Sequence, residues 1–371
     1  MGTLLTTPAV VVRDVAEPVR IEEVRVDEPR EGEVVVALRS VGVCHTDMSL
    51  ARGVLPAPLP GIPGHEGAGV VVRTGTGVHG VQPGDRVMIS SVAPCGRCVR
   101  CQRGEGVYCH REGRRQGVMP DGSARLHDAA GEPLYAGFNS GLFAGHAVVL
   151  EAALAPVPDG LDLDTASIIG CAVVTGYGAV VNTAGLRPGM SALVFGCGGV
   201  GLSAVMAARM VGGSPVVAAD PNPERRAAAR ECGATHSIDP TADGARDELL
   251  AVSGGFGFDA VIEASGAPAA IESVFSLLDR GCTGVYVGAP PIDVELRQSV
   301  LLLAGQGKKL VGCLTGEVRP AVDLAALARL AVDGTLPLQR MITGHAPLAA
   351  VEDAFAAQAR GEGIRTILHF D

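Results

Sequence analysis

Residues 191–220 read SALVFGCGGVGLSAVMAARMVGGSPVVAAD, and this stretch decides the fold of the second half of the chain. The apolar run 191–195 predicts a short strand, the alanine-rich run 201–211 a helix, and 216–220 a second strand. Between the first strand and the helix, Gly196, Gly198 and Gly201 match G-x-G-x-x-G, with Gly199 beside them. Glycines there permit a tight turn and let a pyrophosphate approach a helix N-terminus. Asp220 closes the second strand 24 residues after Gly196. A carboxylate at that point suits the adenosine ribose of NAD and repels a 2′-phosphate. Strand, glycine turn, helix, strand and acid follow in order, which a lone glycine motif does not supply.

Working outward, 224–232 predicts a helix, and 260–264 and 285–287 continue the strands. Strands alternating with helices predict a doubly wound parallel sheet. Residues before Cys171 read differently. Short Val-rich runs at 33–38, 69–73, 86–90 and 146–150 lie between Gly/Pro turns, which predicts a mostly β unit. From about Arg319 the chain returns to short elements and a closing strand at 365–370. A helix around 175–184 marks the boundary, and the tail is expected to fold back onto the first unit.

Two clusters of metal-ligating residues lie in the β-rich part. Cys95, Cys98, Cys101 and Cys109 form C-x-x-C-x-x-C with a fourth cysteine eight residues on. Four thiolates in a short loop suit a closed tetrahedral zinc site. An iron–sulfur cluster uses related spacing, and a zinc-ribbon binding module is the non-enzyme alternative. Cys44 in GVCHTD, His65 in GHEGAG and Cys171 in GCAVVTGYGA are three further ligand candidates. Three protein ligands and an open position are the pattern of a catalytic zinc. Asp47 and Glu66, close by in sequence, are carboxylates able to orient such ligands.

Composition narrows the function classes. The chain has 371 residues, enough for two domains at about 150 residues each. Its formal net charge is −10, and lysine occurs only at Lys308 and Lys309, so no phosphate-tracking nucleic-acid surface is expected. No apolar run reaches the roughly 18 residues of a membrane span. The N-terminus lacks the pattern of a signal peptide. Ten cysteines without such a signal point to metal or reactive thiols in a reducing compartment, hence a cytoplasmic protein.

The stretches GVCHTD, GHEGAG, GVQPGDRV, PCGRCVRC, MPDG, GCAVVTGYGAVVNTA, GCGGVG, ECGATHSID and IRTIL span nearly the whole chain in order. With them the chain resembles the zinc-containing medium-chain alcohol dehydrogenases, and more closely their class III-like branch. The resemblance implies an α/β architecture: a GroES-like β-rich catalytic domain at 1–172 and 317–371, and a Rossmann domain at 173–316. A cleft between them would hold zinc and nicotinamide. By matching position, Cys44, His65 and Cys171 would hold the catalytic zinc, with Glu66 behind it and Asp47 bracing His65. Cys95, Cys98, Cys101 and Cys109 would hold a structural zinc, giving two ions per subunit. Thr46 would accept the substrate proton. His45 and Arg365 would contact the pyrophosphate, Asp220 and Arg225 the adenosine ribose, and the Val287 backbone the nicotinamide. The activity implied is reversible hydride transfer between a primary alcohol or aldehyde and NAD.

Three departures shape the substrate expectation. The relay histidine that many relatives carry is Ser49 here. Ser91 stands where some relatives carry a bulky aromatic, and Ala289 where relatives often have a larger aliphatic residue. Both smaller side chains would widen the pocket toward bulky or aromatic alcohols. The acidic residues by which class III enzymes bind a glutathione adduct have no counterpart in GVLPAPLP, residues 53–60. Thiol-adduct-dependent formaldehyde oxidation is therefore the alternative rather than the first reading. A homodimer is expected from residues 299–303 and 309–313, read as strands flanking a Gly/Lys turn at the sheet edge, and from an insertion at 111–135 typical of dimeric relatives.

Overall fold

The structure, a computed structural model, describes residues 3–111 and 115–370. It divides into two compact units. The first comprises Met1–Cys171, Val318–Asp333 and Ile342–Asp371; the second comprises Ala172–Glu317 and Gly334–Met341.

The second unit carries a six-stranded sheet, parallel at every pairing. Numbered within the unit, its strands run 3-2-1-4-5-6, the order of a dinucleotide-binding fold. The first strand, Ala192–Phe195, and the second, Val216–Ala219, are buried at every residue. A parallel sheet covered on both faces demands such continuous apolar runs. Leu193, Phe195, Val217, Phe258, Val261, Val274 and Leu277 pack into one core. The strand order reverses between Ala192–Phe195 and Phe258–Glu263, the point at which such sheets bind ligands.

In the first unit, the strand Glu33–Gly42 is central and buried except at Arg39. It pairs antiparallel with Gly67–Thr74, with His146–Leu150 and with the closing strand Arg365–His369. Val34, Val36, Leu38, Val41, Phe143 and Phe355 fill the core beneath it. The closing strand is in register Ile367↔Gly42, Leu368↔Val41 and His369↔Ser40. That register brings Arg365, 321 residues away in sequence, next to Cys44.

A five-stranded sheet is built partly from segments without a sequence signal. The hairpin Thr3–Val11 with Arg20–Asp27 is joined by Leu126–His127 and Pro133–Ala136, from the expected insertion. Arg125 fastens this insertion to the central strand, donating from Nε and Nη2 to the two Glu33 oxygens at 2.7 and 2.6 Å. Both side chains are buried. Residues 112–114 of the insertion lie outside those described.

Two expectations need correction. Residues 299–303 are not a strand. Ser299 accepts the Leu302 N–H on its side chain and caps a helix, Val300–Gln306, which ends at the left-handed Gly307. Only Lys309–Gly312 is the edge strand. The tail also does not lie wholly with the first unit. Leu336, Leu338 and Met341 are buried, and Ser203 and Arg340 tie Gly334–Met341 to the second unit through Met341 Sδ and Glu231 O.

No single helix among the described residues is long and apolar enough to cross a membrane.

Candidate active site

Cys44 leaves the central strand as the N-cap of the helix His45–Ala51. Its N–H donates to Asp47 Oδ2 at 3.2 Å. The other Asp47 oxygen accepts the Gly64 N–H at 2.9 Å and lies 2.8 Å from His65 Nδ1. A carboxylate only accepts, so Nδ1 carries a proton and Nε2 is the ring atom left for a metal. One buried aspartate thus sets the helix start, the Gly64 turn and the histidine tautomer together. Cys171 arrives at the end of the short turn Ile168–Gly170. The ligand atoms of Cys44, His65 and Cys171 all lie within 4.8 Å of one another.

Behind them, Arg365 Nε donates to Glu66 Oε1 at 2.8 Å, and its Nη2 lies 3.7 Å from Cys44 Sγ. Glu66 is fully buried and Arg365 nearly so. The Arg365 guanidinium is thus anchored on its inner side by Glu66 and Cys44. The Cys171 thiol as donor, then Arg365 and His65 as cations, hold the Cys44 thiol well below its ordinary value. The Cys171 thiol is pushed well up by that same hydrogen bond and by burial. Burial pushes the Glu66 carboxyl up, with Arg365 opposing. His65 is raised because Asp47 and Cys44 outweigh its burial. Two thiols and an imidazole held through its Nδ1 make a donor set that fits zinc, which would displace their protons.

Thr46 Oγ1 is 3.3 Å from Cys44 Sγ. Buried Ser49 has its Oγ 3.3 Å from Nδ1 of the exposed His45. Phe138, which the sequence reading missed, sets its ring centroid 4.6 Å from that of His65. No motif marks it, because its position depends on the left-handed backbone at Phe138 and Asn139, with φ of 49° and 58°.

The four cysteines Cys95, Cys98, Cys101 and Cys109 also have all sulfurs within 4.8 Å of one another. Cys98 Sγ is 3.5 Å from that of Cys101 and 3.9 Å from that of Cys109. Backbone N–H groups of Cys101 and His110 lower the Cys98 thiol to about 6, whereas burial raises Cys101 to about 12. The set fits a closed four-thiolate zinc site.

In the second unit, Gly196 is left-handed at φ 85°. A Cβ on Gly201 would collide with the Gly196 carbonyl, whereas one on Gly198 would meet nothing within 4 Å. The first two constraints are internal to the fold; the open space at Gly198, at the start of the helix Gly199–Met210, has room for a phosphate at a helix N-terminus. Asp220 accepts the Cys197 N–H at 2.7 Å and the Asn222 N–H at 2.8 Å. Its carboxylate is thereby fixed at the end of the second strand, beside the glycine turn. Arg225 lies on the following helix, Pro223–Glu231. The Val287 N–H donates to Glu263 O at 2.9 Å beyond the strand Leu278–Tyr286. Ala289 is exposed in this unit, and Ser91 half-buried in the first.

Comparison with known proteins agrees with this geometry. Residues 30–159 match the alcohol dehydrogenase GroES-like domain, and residues 199–331 the zinc-binding dehydrogenase domain. A geraniol dehydrogenase from Castellaniella defragrans is 36% identical, covering 99% of this chain and 98% of its own. An S-(hydroxymethyl)glutathione dehydrogenase from Synechocystis sp. is 34% identical over 98% of this chain and 99% of its own. The solved benzyl alcohol dehydrogenase of Acinetobacter calcoaceticus superposes with a TM-score of 0.92 at 27% identity, covering 99% of this chain and all of its own. The chain belongs to the zinc-dependent alcohol dehydrogenases of the medium-chain type, with a GroES-like domain and a Rossmann domain.

Proposed function

We propose that this enzyme interconverts bulky or aromatic primary alcohols and their aldehydes, with NAD as hydride carrier and two zinc ions per subunit. The observation that carries the reading is the convergence of Cys44, His65 and Cys171 over the buried Glu66–Arg365 pair. Zinc held there would lower the pKa of an alcohol hydroxyl, and nicotinamide would take the hydride. The chain's own groups bind, orient and move the proton. Asp47 fixes the His65 ring. Thr46, beside Cys44, offers the hydroxyl that takes the substrate proton. His45, within reach of Ser49, supplies an imidazole on which the proton path can end.

The test is metal content together with NADH formation across ethanol, aliphatic, benzylic and terpenoid alcohols. Two zinc ions per chain and the highest efficiency on a bulky alcohol are expected. One ion, iron, or no turnover with any alcohol overturns the reading. The second reading, a thiol-adduct formaldehyde dehydrogenase, is favoured by the Synechocystis relative's activity. Residues 53–60 bear no acid, and turnover of formaldehyde only with glutathione would establish it.

The proposal includes a homodimer. Ile292, Val300 and Leu301 are 80–85% exposed, and the strand Lys309–Gly312 ends its sheet; exposed apolar side chains and an open edge are what a second copy covers. A light-scattering mass of one or four subunits contradicts it. The thiolate zinc sites require a reducing compartment, so the enzyme is placed in the cytoplasm, which cell fractionation tests.

A further inference from the structure

Away from both cysteine sites, the first unit brings together a third set of metal-ligand donors. The strand Ile342–Pro347 runs parallel to Arg365–His369, with His345 opposite Ile367 and Pro347 opposite His369. Side chains alternate faces along a strand, so His345 and His369 project from the same face of adjacent strands, two positions apart. Ser40 is the cross-strand partner of His369 on the other side. Asp164, in the first turn of the helix Leu163–Ser167, reaches this face from above. Three elements distant in sequence therefore deliver two imidazoles and a carboxylate to one spot.

The geometry is that of a ligand set. His345 Nδ1 is 3.0 Å from His369 Nε2, and the rings are stacked, 16° from parallel with centroids 5.3 Å apart. Asp164 Oδ2 lies 3.6 Å from His345 Nδ1, and Oδ1 lies 3.8 Å from His369 Nδ1. One donor atom from each residue falls within 4.8 Å of the others. At zinc–ligand distances of about 2.1 Å, donors 3.0 and 3.6 Å apart subtend roughly 90° and 120° at the ion. Both angles are ordinary for a four- to six-coordinate ion. The carboxylate is also held in place: the buried Ser40 hydroxyl donates to Asp164 Oδ1. Such an outer hydrogen bond is what orients a metal-ligating carboxylate.

We propose that Asp164, His345 and His369 form a divalent-metal site distinct from the two cysteine-containing ones. Two imidazoles and one carboxylate select zinc, nickel, copper or cobalt over magnesium or calcium. Partial exposure of all three side chains leaves water in the remaining positions. The ion would tie the closing strand, which carries Arg365 at its other end, to its neighbouring strand and to the Leu163–Ser167 helix. Binding to the folded form alone stabilises it by mass action.

The test uses full-length enzyme carrying its two zinc ions, dialysed against a series of ZnCl2 concentrations and analysed for bound zinc. A third equivalent is expected, accompanied by a rise in Tm. His345→Ala and His369→Ala should each weaken that equivalent by more than about tenfold, and Ser40→Ala by about tenfold. All three should keep the other two ions and full alcohol turnover, which also establishes that they fold. Wild-type enzyme that takes up no third zinc overturns the proposal: the two histidines then form only an imidazole–imidazole hydrogen bond. Histidine variants that bind the third zinc as well as wild type overturn it too.

Discussion

Arg365 donates to Glu66 across 299 residues of sequence, at 2.8 Å, with both side chains buried. The same guanidinium faces the Cys44 sulfur. The pair thus sets both the field at the ligand thiols and the attachment of the closing strand to the central one. Removing one member of a buried pair leaves a charge behind, at a cost of about 3–5 kcal/mol. Arg365→Leu should therefore lower the denaturant midpoint and loosen the catalytic zinc about 10- to 100-fold. Glu66→Gln with Arg365→Met should recover part of the stability but not the zinc affinity. Gly42→Ala is expected to act similarly, because its Cβ would collide with the Glu66 carboxylate. If Arg365→Leu retains both zinc and stability, the pair has no such role.

For the four-cysteine loop the expectation is structural. Cys109→Ser should remove one zinc and lower Tm, while the folded fraction keeps its turnover number, since a closed site contributes folding energy rather than chemistry. Acid should act the same way. The Cys98 thiol is depressed from 9.0 to about 6 by backbone N–H groups. A depressed thiol contributes stability that is complete above its unfolded value and is lost as pH falls through about 6. Metal retained per chain, followed from neutral pH to below about 6, should fall across that range; loop zinc unaffected by acid contradicts this.

Asp220 is expected to set the cofactor. A 2′-phosphate would meet a carboxylate that two backbone N–H groups hold rigidly in place. Discrimination of about 2–3 kcal/mol for NAD over NADP is the scale of such a contact. Asp220→Asn, which keeps an acceptor for Cys197 N–H but loses the charge, should relax the preference. Equal kcat/KM for both cofactors in wild-type enzyme would falsify the assignment.

The relay prediction rests on His45 and Ser49. If the imidazole ends the proton path, His45→Gln should lower kcat by about 100-fold, the lower end of general-base contributions. Ser49→Ala should cost less, since water can take the place of one hydroxyl. A variant that raises only KM for NAD would instead assign His45 to cofactor binding.

What was legible in the sequence follows from where each constraint acts. The glycine turn and Asp220 are local, because strand, turn and helix must follow one another to build that site. The cysteine loop is local for the same reason. Cys44, His65 and Cys171 carry readable contexts although the fold alone unites them. Arg365 shows the limit. Its position is readable, but its partner is chosen by the register of a closing strand against Glu33–Gly42, which no local pattern encodes. The helix Val300–Gln306 was hidden because an apolar run suits either period, and the Ser299 cap and left-handed Gly307 decide it. The Asp164–His345–His369 cluster was invisible, since none of the three has a neighbouring motif.

Phe138 bears most directly on the substrate. Its ring lies 4.6 Å from the His65 ring, on a backbone at φ 49° that an aromatic residue adopts only when its surroundings impose it. Asn139 helps impose it: its side-chain oxygen accepts the Gly117 N–H at 2.8 Å and its carbonyl accepts from Arg115 at 3.2 Å. An aromatic face is thereby fixed beside His65, and on the proposed reading Ser91 stands where a bulkier residue would narrow the substrate site. A benzylic ring can pack against Phe138 in a tilted or offset pair; ethanol cannot, and a small alcohol in a wide pocket also loses positioning. Catalytic efficiency should rise about tenfold or more from ethanol to benzyl alcohol, or about 1.4 kcal/mol of transition-state binding. Phe138→Leu should remove most of that ratio by lowering kcat/KM for benzyl alcohol and leaving ethanol nearly unchanged. Ser91→Phe should reduce it by the opposite route, excluding the ring. Wild-type enzyme that turns over ethanol as efficiently as benzyl alcohol sinks the pocket assignment.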